Sequence, residues 1–594
     1  MSILKRFFIA TLGTITGIWI TILMLFIAII FLVVGMAGKS SIKTVNDNSV
    51  LHIKLSGAIA ERYTSPSIQE IISDGGLNEN PTLSDIITAL DRAAEDKNIK
   101  GVYLECGGAA LGIASREELI EAIGRFRKSG KKVVAYADAY TQLDYLVASA
   151  ADQVLLNPVG HVDIHGIGMT VPFFKGLLDK LGVEVQVIKV GSFKSAVEPY
   201  IMTEMSDSAR LQSTIMVDSL WSYYSATLAA NRSLAPSVPN MLADSLSMSW
   251  SPTQLADNKV ITATAYGRNV KTELCKAMGI KDKDDLNLVT PAEYLQSDRV
   301  ELHKPSEKHI AVVYAVGDIV DEGNEGKEIV GSKMVELIQR LADDDKVAGM
   351  VLRVNSPGGS AFASEQIWEA TEYFKSKKKP VYVSMGDYAA SGGYYISCNA
   401  DYIYADATTL TGSIGVFGMI PNFGGTLTDK LGISFSRVNS GPNAQFISVT
   451  EPMTPEQKDA MQRNVENTYD LFTSRVAAGR KMEQARVKQI GEGRVWIGSY
   501  AIKIGLVDAI GSLHTAINAL AKKAGVAPTA YVNYPEDTSS FLREFMAATA
   551  SDGIKGISLD QLQLDAKTVE HLMFINRLRT MNPIQARMPA VEME

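Results

Sequence analysis

Ser391 stands in Met385-Gly-Asp-Tyr-Ala-Ala-Ser-Gly-Gly-Tyr-Tyr-Ile396, between an apolar strand and the start of a helix. Its small neighbours clear space for a substrate, Gly392 offers an unobstructed amide, and a helix N-terminus favours developing negative charge. Those are the needs of a nucleophilic serine, although a serine in front of a helix is also an ordinary N-cap. The reading turns on a base. None of the seven histidines lies near Ser391 in the chain, and His161 and His165 reach it only through the fold. Lysine is the alternative. Lys194, in Gly191-Ser-Phe-Lys-Ser-Ala-Val-Glu-Pro-Tyr200, follows the apolar strand Val183 to Val190. A solvated lysine, with a pKa of about 10.4, is only ~0.04% neutral at pH 7. Lys194 therefore serves as a base only if burial strips its water, and Phe193, Ala196 and Val197 supply apolar surroundings for that.

A third segment, Arg353-Val-Asn-Ser-Pro-Gly-Gly-Ser360, combines a proline of fixed φ with two glycines. Such a turn is commonly just a turn, but its exposed amides can also bind an oxyanion.

The elements that must position these residues occur twice. Lys128-Ser-Gly-Lys-Lys-Val-Val-Ala-Tyr136 matches Lys375-Ser-Lys-Lys-Lys-Pro-Val-Tyr-Val383, each a helix end running into a strand. Tyr145 to Asp152 matches Tyr394 to Asp401 at an offset of 249, and Leu181-Gly-Val183 matches Leu431-Gly-Ile433 at an offset of 250. A period of this size means two domains rather than a solenoid. In each half apolar strands alternate with amphipathic helices, as in Val347 to Val354, Glu365 to Lys375 and Val381 to Met385. That pattern predicts α/β domains with largely parallel sheets, whose ligands collect at the carboxyl ends of strands. The copies keep different polar residues. Gln142 stands where the second copy has Ser391, and Asn439 to Gln445 has no lysine where the first copy has Lys194. One composite site, armed from both copies, is the expectation.

The chain's 594 residues leave room for two large domains and appendages. A net charge of -8 argues against nucleic acid as a partner. Cys106, Cys275 and Cys398 have no metal-ligand spacing and make no disulfide framework, so they are read as small buried residues and no metal or cofactor is expected. Phe7 to Gly38 carries no charge and includes the apolar run Ile18 to Val34. It meets the roughly 20 residues a bilayer asks for and exceeds the ~7 to 15 of a signal peptide's apolar core. An uncleaved anchor at residues 1–45 is expected, then repeats at 46–304 and 305–594, the second including a C-terminal tail. Within the tail Leu559 to Met581 is amphipathic.

Taken together, Gly191 to Tyr200, Asn355-Ser-Pro-Gly-Gly359, Gly386 to Tyr394 and Thr411-Gly-Ser-Ile-Gly415 resemble the signal peptide peptidase A family in its long, duplicated form. That resemblance implies tandem Clp/crotonase-like domains and a membrane-anchored serine protease. It makes Ser391 the nucleophile, Lys194 the general base and Ser413 the residue that orients the lysine. The amides of Gly392 and of Gly358 or Gly359 then form the oxyanion hole. It further implies remnant signal peptides as substrates, a homotetramer, and a catalytic body on the periplasmic side of the bacterial inner membrane. Two other readings stand beside it: an acyl-thioester enzyme of the same fold group, and a noncatalytic membrane scaffold.

Overall fold

The computed structural model describes residues 45–62, 81–297, 307–324, 326–535 and 584–588, with Gly17 and Met24. The anchor expected at residues 1–45 lies outside them but for those two and Val45, and so does Leu559 to Met581. Among the described residues no helix is long and apolar enough to cross a membrane.

Two largely parallel sheets carry the duplication, the second also holding Val495–Ile497 antiparallel to Leu410–Gly412. The first runs, in spatial order, Ala263–Thr264, Gln153–Leu156, Lys132–Ala137, Ile99–Ala110, Ser49–Ala58 and Asn287–Val289. The second repeats the order with Ala509–Ile510, Tyr402–Ala405, Val381–Ala390, Val347–Ser356, His309–Val316 and Tyr531–Tyr534. Their central strands carry apolar, buried runs, Val102 to Leu104 in the first and Met350 to Leu352 in the second, as strands covered on both faces do. The α/β expectation with largely parallel sheets holds in both copies. So does the helix pattern: Asp207–Arg232 and Pro455–Arg480 are both 26-residue helices, each N-capped by a hydroxyl, of Ser206 and Thr454, and each ended by a left-handed residue. The three cysteines are buried and unpaired.

A third, mixed sheet joins the copies. Its order is Ile329–Val330, Ile319–Val320, Gly358–Ser360, Ile584–Arg587, Val416–Asn422 and Glu184–Val190. Glu184–Val190 comes from the first repeat and pairs antiparallel with Val416–Asn422 of the second, Val190 opposite Val416.

Buried charge fixes the two copies further. Arg353, fully buried, donates from Nε to Glu61 at 2.7 Å and from Nη1 to Glu118 at 2.7 Å. Burial works against its charge, and the two carboxylates outweigh that, so the guanidinium sits well above its ordinary value. Glu61 also accepts from Asn355 Nδ2 at 3.0 Å, and Glu118 from the Leu513 amide at 3.0 Å. Nearby, Asp387 takes the Ser115 amide at 3.0 Å, and Glu117 takes the amides of Ala407 and Thr408 at 3.0 and 3.1 Å. The ends of the strands that lead to the Pro-Gly-Gly turn and to Ser391 are thus bolted to the first repeat. Removing one partner of a buried pair costs about 3–5 kcal/mol. Glu118→Ala is expected to lower the unfolding free energy from urea titration by that order, with a lower midpoint, whereas Glu118→Leu with Arg353→Met loses less. An unchanged midpoint in Glu118→Ala would refute the role assigned to the pair.

Candidate functional site

Beyond Val190 the first repeat turns at Gly191, and the Phe193 amide donates to the Glu492 carbonyl at 2.9 Å. This steers Lys194 inward, between the loop Gly412–Gly415 and the loop Glu492–Arg494. The lysine is fully buried. Its Nζ lies 2.8 Å from Ser391 Oγ, 3.1 Å from Ser413 Oγ and 3.2 Å from the Ser413 carbonyl oxygen. Among the described residues it has no ion pair, and burial drives its pKa well below the ordinary lysine value.

A neutral amine has two N–H bonds and one lone pair. Ser413 offers two acceptors to the N–H bonds, because its own hydroxyl proton goes to the Gly493 carbonyl at 3.3 Å. In a neutral Lys194 the lone pair would then face Ser391 Oγ, 2.8 Å away. Ser413 is held for this by its amide, which donates to the Arg494 carbonyl at 2.7 Å, at a left-handed φ of 49°.

Ser391 ends the strand Val381–Ala390 at φ 56° and ψ -113°, a conformation that costs an L-residue energy and persists where surroundings impose it. Its amide donates to the Gly412 carbonyl at 2.8 Å, and its carbonyl accepts from Tyr395 at 2.8 Å. The N-cap alternative does not hold: the helix that follows is only Gly392–Tyr395, and the Ser391 side chain makes no capping bond.

Gly358, Gly359 and Gly392 pack against one another as only glycines can. A Cβ on Gly358 would come within 2.7 Å of the Gly392 nitrogen, and one on Gly392 within 3.1 Å of the Gly359 nitrogen. Gly358 and Gly359 have φ of 103° and 154°, open to glycine alone. The Gly358 amide donates to Ser356 Oγ at 3.2 Å, which leaves Gly359 and Gly392 as the pair directed at the cleft.

The histidine alternative fails on placement. His165 pairs with Asp163 at 3.0 Å on the surface, and among the described residues no histidine bonds to Ser391. Gln142 has a scaffold task instead: its side chain accepts from the amides of His165 and Gly166, both at 2.9 Å. The loop Glu492–Arg494 was missed by the sequence reading. Its Gly493 (φ 76°) lies so close that a Cβ there would meet Lys194 Cβ at 2.7 Å, and Arg494 stacks over Phe193 and Trp496. The Gly491-Glu-Gly493 doublet ahead of a strand was its one signal. A cavity of about 360 Å³ lined by Glu61, Asp91, Arg125 and Tyr314 contains neither Ser391 nor Lys194.

A serine hydroxyl, a buried amine whose pKa burial depresses, and two amides directed at one cleft can together attack an acyl carbon, take up and return a proton, and hold an oxyanion. Residues 125–281 and 373–527 match the profile of peptidase family S49, one segment in each repeat. The chain belongs to peptidase family S49. Protease 4 of Haemophilus influenzae is 35% identical over 516 residues, covering 84% of this chain and 83% of that protein. The chloroplastic serine protease SPPA of Arabidopsis thaliana is 27% identical over 556 residues, 92% of this chain and 78% of that one. A protein of Enterococcus faecium named putative signal peptide peptidase SppA is 32% identical over 263 residues, 43% of this chain and 76% of that one. As an S49 member the chain is a serine protease. Lys194 falls in the first S49 segment and Ser391 and Ser413 in the second.

The buried amine leaves a signature in stability. Its folded pKa lies below the ordinary 10.5, so between the two values the unfolded chain holds more protons than the folded one. Stability then rises with pH across that window, and the cost of burying Lys194 vanishes above about 10.5. Unfolding midpoints measured from neutral pH upward are expected to climb relative to those of Lys194→Met, which starts higher and lacks this slope. A constant difference between the two would mean that the folded protein carries Lys194 charged.

Proposed function

We propose that this protease is a membrane-anchored endopeptidase with a Ser391/Lys194 dyad that degrades signal peptides left in the membrane after preprotein processing. The observation that carries the dyad is the 2.8 Å approach of Lys194 Nζ to Ser391 Oγ within full burial. Lys194 takes the hydroxyl proton as Oγ attacks the peptide carbonyl. The oxyanion is held by the amides of Gly392 and Gly359, each contributing about 3 kcal/mol by analogy with measured oxyanion holes. Lys194 then protonates the leaving amine and activates the water that releases the acyl group. Ser413 keeps the lysine's N–H bonds occupied and its lone pair in line.

The substrate reading draws on the name of the Enterococcus relative and on the cleft itself. Ile113, Met216 and Leu220 of the first repeat and Ala390, Leu410, Val495 and Ile497 of the second form one apolar cluster beside Ser391. A cleft opening onto that buried cluster would suit the aliphatic and small side chains of signal peptides. The uncharged stretch Phe7 to Gly38 supports the tether, which we assign to residues 1–45, ahead of repeats at 46–304 and 305–594. A protease held beside the bilayer meets segments that seldom leave it, and we place its body on the periplasmic side of a bacterial inner membrane, as a homotetramer.

The test is hydrolysis of an apolar signal-like peptide by the full chain in detergent, with folding matched by circular dichroism. Ser391→Ala and Lys194→Ala are each expected to reduce kcat by about 10⁴-fold or more, as removal of a nucleophile or its base does elsewhere. Turnover retained in Ser391→Ala sinks the assignment. Loss with Ser391 but not with Lys194 removes the lysine from it.

A further inference from the structure

The cavity of about 360 Å³ that lies apart from Ser391 and Lys194 opens between the two repeats. One wall is a face of the helix Leu83–Glu95 of the first repeat, and the other is the helix Leu513–Ala524 with Tyr314 of the second. Leu83, Ile87, Leu513 and Ile517 give it an apolar lining. Its volume falls in the range of small-ligand pockets, about 300–1,000 Å³.

Six acidic and arginine side chains also line it, and four of them are matched within the fold. Arg353 neutralises Glu61 and Glu118, at 2.7 Å each. Arg125 holds both oxygens of Asp91, at 2.9 and 3.1 Å, and His514 stands 3.2 Å from the same carboxylate. Left over are Arg92 and Glu95. Among the described residues neither of these side chains has an ion pair or a hydrogen bond, with each other or with any neighbour. A simple anion would leave Glu95 unmatched and a simple cation would leave Arg92 so, whereas a ligand carrying both charges answers both. The side-chain amide of Asn518, likewise without a hydrogen bond among the described residues, offers a donor and an acceptor beside them.

Spacing sets the size of that ligand. Arg92 and Glu95 are three residues apart on one helix, which puts their β-carbons about 5–6 Å apart. The ammonium and carboxylate of a dipeptide, whose α-carbons are ~3.8 Å apart, are separated by a comparable distance. We propose that this cavity binds a short apolar peptide of dipeptide size with free termini. Its carboxylate sits on Arg92, its ammonium on Glu95, its peptide group on Asn518 and its side chains against Ile87 and Ile517. Short peptides are what a protease leaves, so the ligand is of the class of the chain's own products.

An occupant bears on the active site through the cavity wall. Glu61 holds Asn355 Nδ2 at 3.0 Å as well as Arg353, and Asn355 Oδ1 accepts the Tyr388 amide at 3.1 Å. Asn355 precedes Pro357 of the Pro-Gly-Gly turn by two residues, and Tyr388 precedes Ser391 by three. A peptide held between Leu83–Glu95 and Leu513–Ala524 binds only while the repeats stay docked, and so favours the arrangement in which Glu61 fixes both strand ends. It therefore raises kcat and leaves KM, set in the cleft beside Ser391, unchanged.

Calorimetric titration of L-leucyl-L-leucine into the full chain carrying Ser391→Ala, in detergent, tests the site without cleavage. Saturable binding is expected. Arg92→Ala, Glu95→Ala, N-acetylation of the dipeptide and its C-amidation each remove one charge-assisted contact and are each expected to weaken it by about tenfold or more. With Ser391 in place, the dipeptide is expected to raise kcat on a longer apolar peptide. Arg92→Ala is expected to match the wild type without dipeptide and to lose that response. Absence of binding, or binding that Arg92→Ala leaves intact, overturns the site. Binding lost in Arg92→Ala with kcat unmoved by the dipeptide overturns the link to Ser391. Neither result touches the Ser391/Lys194 assignment, whose failure would show instead in the hydrolysis measured without dipeptide.

Discussion

A lysine amine 2.8 Å from a serine hydroxyl is a base only while it carries no charge, and water would charge it. The site is accordingly built around keeping water from one nitrogen. Lys194 has zero exposure, and among the described residues no carboxylate pairs with it, although a carboxylate would have anchored it more firmly. Such a partner would favour the ammonium and undo the effect of burial. Fixing the amine by neutral groups alone avoids this, and Ser413, which supplies both a hydroxyl and a carbonyl, does it with one residue.

Neither copy of the duplicated domain could build that arrangement alone. The lysine arrives on a first-repeat strand that is zipped antiparallel to Val416–Asn422, close to the Thr411–Gly415 loop whose Ser413 it must meet. A slip of one residue in that pairing would turn every side chain to the opposite face. Lys194 follows the strand end at Val190 too closely for the intervening chain to absorb such an error. The interrepeat bonds of Glu117, Glu118 and Ser115 complete the constraint, because they hold the ends of the strands that carry Ser391 and the Pro-Gly-Gly turn.

What the sequence made legible follows from how local each signal is. Apolar strands and amphipathic helices are short-range patterns, the repeat is a recurrence of such patterns, and all are present. Ser391 and Lys194 were readable because small residues around one and an apolar strand before the other are local features with a chemical meaning. Gly359 and Gly392 were readable as candidate donors, but not the engagement of Gly358 by Ser356, which depends on the fine course of one turn. The partners of Arg353 lie 292 and 235 residues away, and nothing in their own segments marks them as buried charges. The loop Glu492–Arg494 contributes mainly backbone carbonyls and a missing side chain, neither of which a residue type announces. Ile584–Arg587, inside the C-terminal tail, is placed only by the strands on either side of it.

Two serines with left-handed φ face the same amine, Ser391 at 56° and Ser413 at 49°. Conformations of this kind cost on the order of 1–3 kcal/mol each and survive only where the surroundings over-determine them. Here they do so from both sides of one loop. The Gly412 carbonyl takes the Ser391 amide, and the Arg494 carbonyl takes the Ser413 amide. Gly412–Ser413 is thus a short bracket between Ser391 and the loop that walls in the lysine, its carbonyl and amide each tied to one side. The strain is a consequence of geometry: both hydroxyls must converge on one nitrogen from adjacent strand ends. On the other side of Ser391 the strand Ile584–Arg587 is paired between Gly358–Ser360 and Val416–Asn422.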